Sequence, residues 1–130
     1  MADNNVNLGD TFLLDTQKGF HLFVAIVPLT ITKYLFVNTT KQLPNSDLSC
    51  IIKPGMGCPP FITQDSVIYY RKPREIESAT IFKLIASGEC TSKGKFSPNI
   101  LYKIQVGATI SDEIPIGYQN IVIDYLNLTS

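Results

Sequence analysis

The sequence lacks any hydrophobic run long enough to cross a membrane. Its most apolar stretch, residues 20–32, spans about 13 residues and contains Pro28, whereas a membrane-spanning helix needs roughly 20 apolar residues. The first residues are polar and acidic, without the cationic and apolar segments of a signal peptide. We therefore expect a cytoplasmic protein that has no membrane partner.

Neither sign of charge is in excess, because 11 Lys and Arg residues balance 11 Asp and Glu residues. This balance excludes a protein whose whole surface attracts nucleic acid. The distribution is uneven, since residues 104–130 hold Asp112, Glu113 and Asp124 but no Lys or Arg. Residues 1–103 therefore carry a net charge of +3, with 11 basic and 8 acidic residues, and the remainder carries −3.

Cysteine and histidine are too few for a metal centre. The chain has three cysteines, Cys50, Cys58 and Cys90, and the single histidine His21, whereas a structural zinc site needs four ligands at fixed spacing. An odd number of cysteines without a signal peptide favours reduced thiols, and Cys58, in a loop rich in Gly and Pro, should be the most accessible. The sequence also lacks a glycine-rich phosphate loop. We expect neither a metal nor a cofactor.

Residues with β preference fill the first two thirds of the chain. The run 21–27 is almost wholly apolar, which is typical of a strand buried on both faces or at the centre of a small barrel. Turn residues, with Gly and Pro prominent among them, separate it from other β-rich runs, and Pro73 should end the last of these. The predicted strands cover residues 11–14, 21–27, 33–38, 49–52 and 65–70.

Helical signals replace this pattern towards the end of the chain. Ser97-Pro98 is a typical helix start, with Gly107 as a possible end. A second short helix should follow Ser111, with a strand at 121–123 as the alternative. Residues 75–84 fit either a strand, over 80–84, or a helical turn. We expect one α+β domain over residues 1–130, a small bent sheet or barrel with one or two C-terminal helices over 97–126.

Three groups of side chains could carry chemistry. His21, at the head of an apolar strand, offers the only imidazole, the side chain that titrates near neutral pH unaided. Hydroxyls and a cation, which together could hold a phosphate, end the third strand. A basic cluster could clamp an oxyanion, and the neighbouring Tyr69 and Tyr70 point to opposite faces, so only one of them could stack on a base. The second and third groups are Thr39, Thr40 and Lys41, and Arg71, Lys72 and Arg74.

Four segments in order resemble the MazF/PemK growth-inhibitor toxins: residues 8–14, 21–27, 36–40 and 61–70. The resemblance covers roughly residues 7–85. It implies an SH3-like antiparallel β-barrel of the CcdB/PemK type, a homodimer, metal-independent cleavage of single-stranded RNA and neutralisation by an antitoxin protein.

The resemblance also assigns roles to residues. Active members place an Arg-Pro pair before the second strand, where this chain has Phe20-His21. His21 would then act as acid or base, Thr39 or Thr40 would position the phosphate, and Arg71 would neutralise its charge. The RNA contacts would come from Lys41, Tyr70, Lys72 and Arg74. Because the Arg-Pro pair is missing, the alternative is a non-catalytic binding module of the same barrel, contacting a protein or nucleic acid.

Overall fold

The computed structural model describes residues 5–129, which form one curled antiparallel sheet of six strands and three helices. The strands follow the order β4-β5-β3-β2-β1-β6 across the sheet, and the α+β class predicted from the sequence is confirmed. The elements are β1 Asp10–Thr16, β2 Gly19–Pro28, β3 Lys33–Lys41, β4 Ile51–Ile52, β5 Ser66–Glu77, α1 Ser78–Ala86, β6 Cys90–Lys95, α2 Pro98–Ile110 and α3 Ile116–Thr129.

Strand β2 lies near the middle of the sheet and is buried on both faces. Six consecutive residues, 22–27, are buried, which confirms the prediction from its apolar run. Leu22 and Val24 contribute to the core on one face, whereas Phe23 and Ala25 contribute to the core on the other. This alternation is what the pleat of a strand requires.

The helices divide between the two faces. Ile104 and Val122 place α2 and α3 on the face of Leu22 and Val24, and Ile81 places α1 on the opposite face. The sheet is therefore the middle layer of three. Within residues 5–129, none of the helices has the length and apolarity needed to traverse a bilayer.

Helix α2 begins as its sequence predicts but ends later. The Ser97 side chain accepts a hydrogen bond from the Ile100 N–H at 3.3 Å, and Pro98 occupies the first turn. The helix continues past Gly107 to Ile110, so Gly107 is not its end. A Cβ at Gly107 would overlap the Tyr70 hydroxyl and lie 2.9 Å from Cβ of Cys50. Glycine is needed there because helix and sheet approach closely.

The structure decides four points in the second half of the chain where the sequence expectations were open, incomplete or wrong. Of the two alternatives for residues 75–84, the strand over 80–84 is wrong and the helical one is closer, since residues 78–86 form helix α1 and helical spacing carries Ile81 into the core. Pro73 does not end β5, since a bulge removes it from the regular ladder. Strand β6 was not predicted, because its residues are mostly polar and exposed. The alternative strand at 121–123 is also wrong, since α3 covers it.

Replacing Gln105 with methionine should lower the free energy of unfolding by about 1–3 kcal/mol. A register shift in β2 leaves Ile26 without a ladder partner, and the buried Gln105 amide donates to its carbonyl at 2.7 Å. Methionine has a similar volume but would leave that carbonyl buried and unpaired. Urea unfolding would measure the loss, with the exposed Gln42→Met as control. A change within about 0.5 kcal/mol, as at ordinary surface sites, would contradict this role.

Candidate functional site

The sheet face that carries α1 is only partly covered by that helix. Beyond α1 the face opens into a groove of about 730 Å³, which we call the phosphate groove after the ligand that the sequence analysis expects its residues to hold. No residue of α1 lines it. The groove is lined by Asp15, Thr16, Gln17, Lys18, His21, Phe23, Asn38, Thr40, Tyr69, Lys72 and Arg74.

The antiparallel register explains why these side chains meet. Phe23 pairs with Asn38, and Asn38 pairs with Tyr69, and cross-strand partners project to the same face. His21 lies two residues before Phe23 on β2, and Thr40 lies two residues after Asn38 on β3, so both project to that same face. Strands β2, β3 and β5 therefore bring an imidazole, a hydroxyl, an amide and a phenol to one surface.

A bulge in β5 decides which basic residues join them. Phe36 pairs with Arg74 and Asn38 with Tyr69, so the single residue Val37 faces residues 70–73 of β5. The extra residues change the alternation of the strand. Lys72 and Arg74 consequently line the phosphate groove together with Tyr69.

Arg71, predicted to neutralise the phosphate, is not among the residues that line the groove. Its Nε lies 3.6 Å from Oε1 of Glu113, in the segment between α2 and α3 on the opposite side of the sheet. The bulge is the reason, because it directs Arg71 to the face that carries α2 and α3 and leaves Arg74 on the groove side. Arg74 thus stands where Arg71 was expected.

Tyr70 is also unavailable to RNA. Its ring is fully buried in the core beneath α2, and its hydroxyl donates to the Ile104 carbonyl at 2.7 Å. Burial raises the pKa of this phenol far above its ordinary value. The half-buried Tyr69, on the opposite face, lines the groove instead. Only one of the two tyrosines reaches the groove, as strand geometry requires. It is Tyr69, and not Tyr70, which the sequence analysis had named as an RNA contact.

The side chains of His21 and Thr40 are free for a ligand. His21 is half-buried at the groove wall. Within residues 5–129, neither its imidazole nor the Thr40 hydroxyl makes a hydrogen bond to the protein. A histidine with a purely structural role would be expected to bond to the backbone. The groove therefore presents an unpaired proton-transfer group beside an unpaired hydroxyl.

The phosphate groove has an excess of positive charge in a chain that is neutral overall. Lys18, Lys72 and Arg74 line it against one carboxylate residue, Asp15. Across the described part of the chain, none of these three cations forms a salt bridge. The Arg74 guanidinium lies 5.2 Å from the centroid of the Phe23 ring, an attractive contact that holds it over the groove floor. Such a site suits an anion.

A second pocket adjoins the groove. This side pocket has a volume of about 440 Å³ and shares His21 and Thr40 with the phosphate groove. The predicted residues Thr39 and Lys41 line the side pocket rather than the groove itself. Thr39 is buried and pairs with Ile68, so it projects to the face that carries α2 and α3. Of the two threonines, Thr40 therefore belongs to the phosphate groove. The pocket is completed by Phe20, Leu22, Phe61, Ile62, Thr63, Gln64 and Ser66.

Sequence reasoning missed several groove residues, of which Asn38 and Tyr69 are the most informative. Asn38 is buried and its amide donates to the Thr39 carbonyl at 3.0 Å. The signal for Asn38 was its position two residues before Thr40 on the same strand face. Lys18 could not have been found in this way, because it lies in the turn between β1 and β2.

The three thiols lie apart from this chemistry. Cys50 and Cys90 are buried, Cys58 is half-buried, and all three are free. Among residues 5–129 no cluster of three or more His, Cys, Asp or Glu side chains could hold a metal ion.

Cys58 should react with iodoacetamide before Cys50 and Cys90 in the native protein. Burial raises the pKa of Cys50 and of Cys90 to about 11, and it raises the pKa of Cys58 as well, partly offset by Lys103. Because only the thiolate reacts, the most exposed thiol should lead and labelling should accelerate with pH. Peptide mass mapping over time would give the order, with Cys58→Ser as control. Earlier labelling of Cys50 or Cys90 would contradict the prediction.

The groove combines what a phosphodiester requires: cations for its charge, a hydroxyl for a non-bridging oxygen and an imidazole for proton transfer. These groups come from β2, β3 and β5 and from the turn before β2. No family model matches the chain, and no curated protein matches it significantly in sequence.

Proposed function

We propose that the protein binds single-stranded RNA in the phosphate groove and cleaves it without a metal ion, as a toxin of MazF/PemK type. One observation carries the proposal. His21, Thr40, Lys72 and Arg74, all chosen from the sequence as candidate RNA-contacting or catalytic residues, line one open groove. Together they offer a phosphodiester an imidazole, a hydroxyl and two cations, which come from three neighbouring strands.

Charge and shape support binding of a single strand. Lys18, Lys72 and Arg74 can neutralise backbone phosphates, and a guanidinium can bind two phosphate oxygens at once. Tyr69 offers a ring on which an unpaired base can stack. Double-stranded RNA buries its bases and would leave that ring unused.

The chemistry follows from the same groups. The ribose 2′ oxygen attacks the adjacent phosphorus, the bond from phosphorus to the 5′ oxygen breaks, and a 2′,3′-cyclic phosphate and a 5′ hydroxyl result. The neutral imidazole of His21 accepts the 2′ proton and returns it to the leaving 5′ oxygen, so the single histidine serves both transfers. Arg74 and Lys72 stabilise the charge that develops on the phosphate oxygens, and Thr40 donates to one of them.

The same proposal extends to the fold family and to partners. The curled sheet, the hydroxyl that ends β3 and the imidazole at the head of β2 fit an SH3-like barrel of PemK type. Such a protein would act in the cytoplasm as a homodimer and would be neutralised by an antitoxin that covers the groove.

A second candidate is an RNA-binding module of the same fold that does not cleave. The observation that favours it is the imidazole itself. His21 is the only histidine of the chain and stands where active toxins place an arginine. The cations and Tyr69 would then suffice to hold RNA.

One assay tests the proposal and separates the two candidates. The purified protein is incubated with an end-labelled single-stranded RNA pool in excess EDTA, and both binding and cleavage are measured. Cleavage that leaves 2′,3′-cyclic phosphate and 5′ hydroxyl ends is the expected result. Binding without cleavage would favour the second candidate. Neither binding nor cleavage, across pools of varied sequence, would overturn both.

A further inference from the structure

We infer that the side pocket binds one unpaired nucleobase of the RNA, next to the phosphate that reacts at His21 and Thr40. This inference rests on the proposed function, because it names where the substrate continues beyond the reacting phosphate. The pocket would make the protein selective for RNA whose bases are free.

Two exposed phenyl rings are the first observation. Phe20 is 60% exposed and Phe61 is 43% exposed, although both line the side pocket. Among residues 5–129 the only ring pair in contact is Phe12 with Phe36, so neither exposed ring is covered by another aromatic side chain. Large apolar surfaces that remain in water beside a concave site mark a place where a ligand binds.

Continuity with the phosphate groove is the second observation. His21 and Thr40 line both cavities. A phosphate bound at these two residues therefore has the side pocket as its immediate neighbour. The nucleotide attached to that phosphate can place its base in the side pocket without leaving the groove.

The polar lining of the pocket favours a base over an apolar peptide side chain. Lys41, Thr63 and Gln64 line it, and no acidic residue does. The Gln64 amide and the Thr63 hydroxyl can meet the donors and acceptors of a base edge, and Lys41 can meet the next phosphate. A leucine or phenylalanine of a protein partner would cover the rings but leave these polar groups without partners.

The test measures binding apart from cleavage. A short fluorescent single-stranded RNA, protected by 2′-O-methyl groups so that it cannot be cleaved, is titrated with protein, and fluorescence anisotropy gives Kd. Phe20→Ala and Phe61→Ala should each raise Kd roughly fivefold to 150-fold, which is the range for loss of one stacked base. Both rings are exposed, so both variants should fold, and circular dichroism checks this.

The matched control is Tyr102→Ala. Tyr102 is an aromatic residue of α2 that is 60% exposed and lines neither the side pocket nor the phosphate groove, so its loss should leave Kd unchanged. A series of oligonucleotides with one abasic position each adds a second control. At one position the missing base should weaken binding by wild type, and the Phe61→Ala variant should show no further loss there.

The outcomes separate this inference from the proposed function. If wild type binds no RNA, the proposed function fails. If wild type binds, and Arg74→Ala weakens binding while the two phenylalanine variants bind as well as Tyr102→Ala, the groove holds RNA and the side pocket does not hold a base. Equal weakening by Phe61→Ala on every abasic oligonucleotide would also overturn the inference.

Discussion

Replacing His21 with alanine should slow RNA cleavage by about 100- to 10,000-fold, the usual contribution of a positioned proton-transfer group. The binding affinity for a non-cleavable RNA should change little, because Lys18, Lys72 and Arg74 supply the charge that holds the backbone. The measurements are single-turnover cleavage for the rate and anisotropy for Kd. This division between rate and affinity distinguishes a catalytic imidazole from a structural one.

Two further results make the experiment decisive. Added imidazole should restore part of the activity of His21→Ala, since the missing group is small and its site opens to the groove. The thermal midpoint should stay near that of wild type, because the imidazole makes no hydrogen bond within the described residues. A variant that cleaves within about threefold of wild type would remove His21 from the mechanism and leave the groove as a binding site.

Replacing Arg74 with alanine should reduce cleavage roughly 100- to 1,000-fold, the usual loss when one donor to a developing oxyanion is removed. Unlike His21→Ala, this variant should also bind RNA more weakly, because the proposed mechanism has Arg74 contact the phosphate before and during the reaction. The rate and Kd would be measured as above. Arg74→Lys should recover only part of the activity, since lysine keeps the charge but not the two-pronged geometry of the guanidinium.

Arg71→Ala is the matched control for Arg74→Ala. The two arginines lie three positions apart on β5, but Arg71 faces Glu113 on the far side of the sheet. Its ion pair is exposed, so its loss should change neither cleavage nor binding by more than about twofold. A larger effect of Arg71→Ala than of Arg74→Ala would contradict the assignment of faces in β5.

The parts of the fold that the sequence predicts are those that local pattern determines. The apolar run of β2 requires burial on both faces, and Ser97-Pro98 favours a helix start whatever surrounds it. Helix α1 and strand β6 depend on packing across the sheet. Their sequences are compatible with more than one element, and only contacts such as that of Ile81 with the second core decide between them.

The candidate site was predictable to the same extent. His21 and Thr40 lie at strand ends where simple alternation gives their face, and the groove contains both. Along β5 the prediction was less successful, because it chose Arg71 and Tyr70, whereas Arg74 and Tyr69 line the groove. The bulge depends on pairing with Val37 of β3, and Pro73, the one local signal for it, fits the end of a strand equally well.

The length of the bulge in β5 also determines the net charge of the groove. Arg74 pairs with Phe36 on the groove side. Its neighbour Glu75 pairs with Leu35 on the face that carries α2 and α3, where it accepts a hydrogen bond from Tyr118. Deleting Pro73 while the bulge keeps its length would bring Glu75 opposite Phe36 and place its carboxylate on the groove side instead of the Arg74 guanidinium. The groove would then hold Lys18 and Lys72 against Asp15 and Glu75, so it would lose its excess of positive charge and with it the preference for an anion, although no charged residue had been removed.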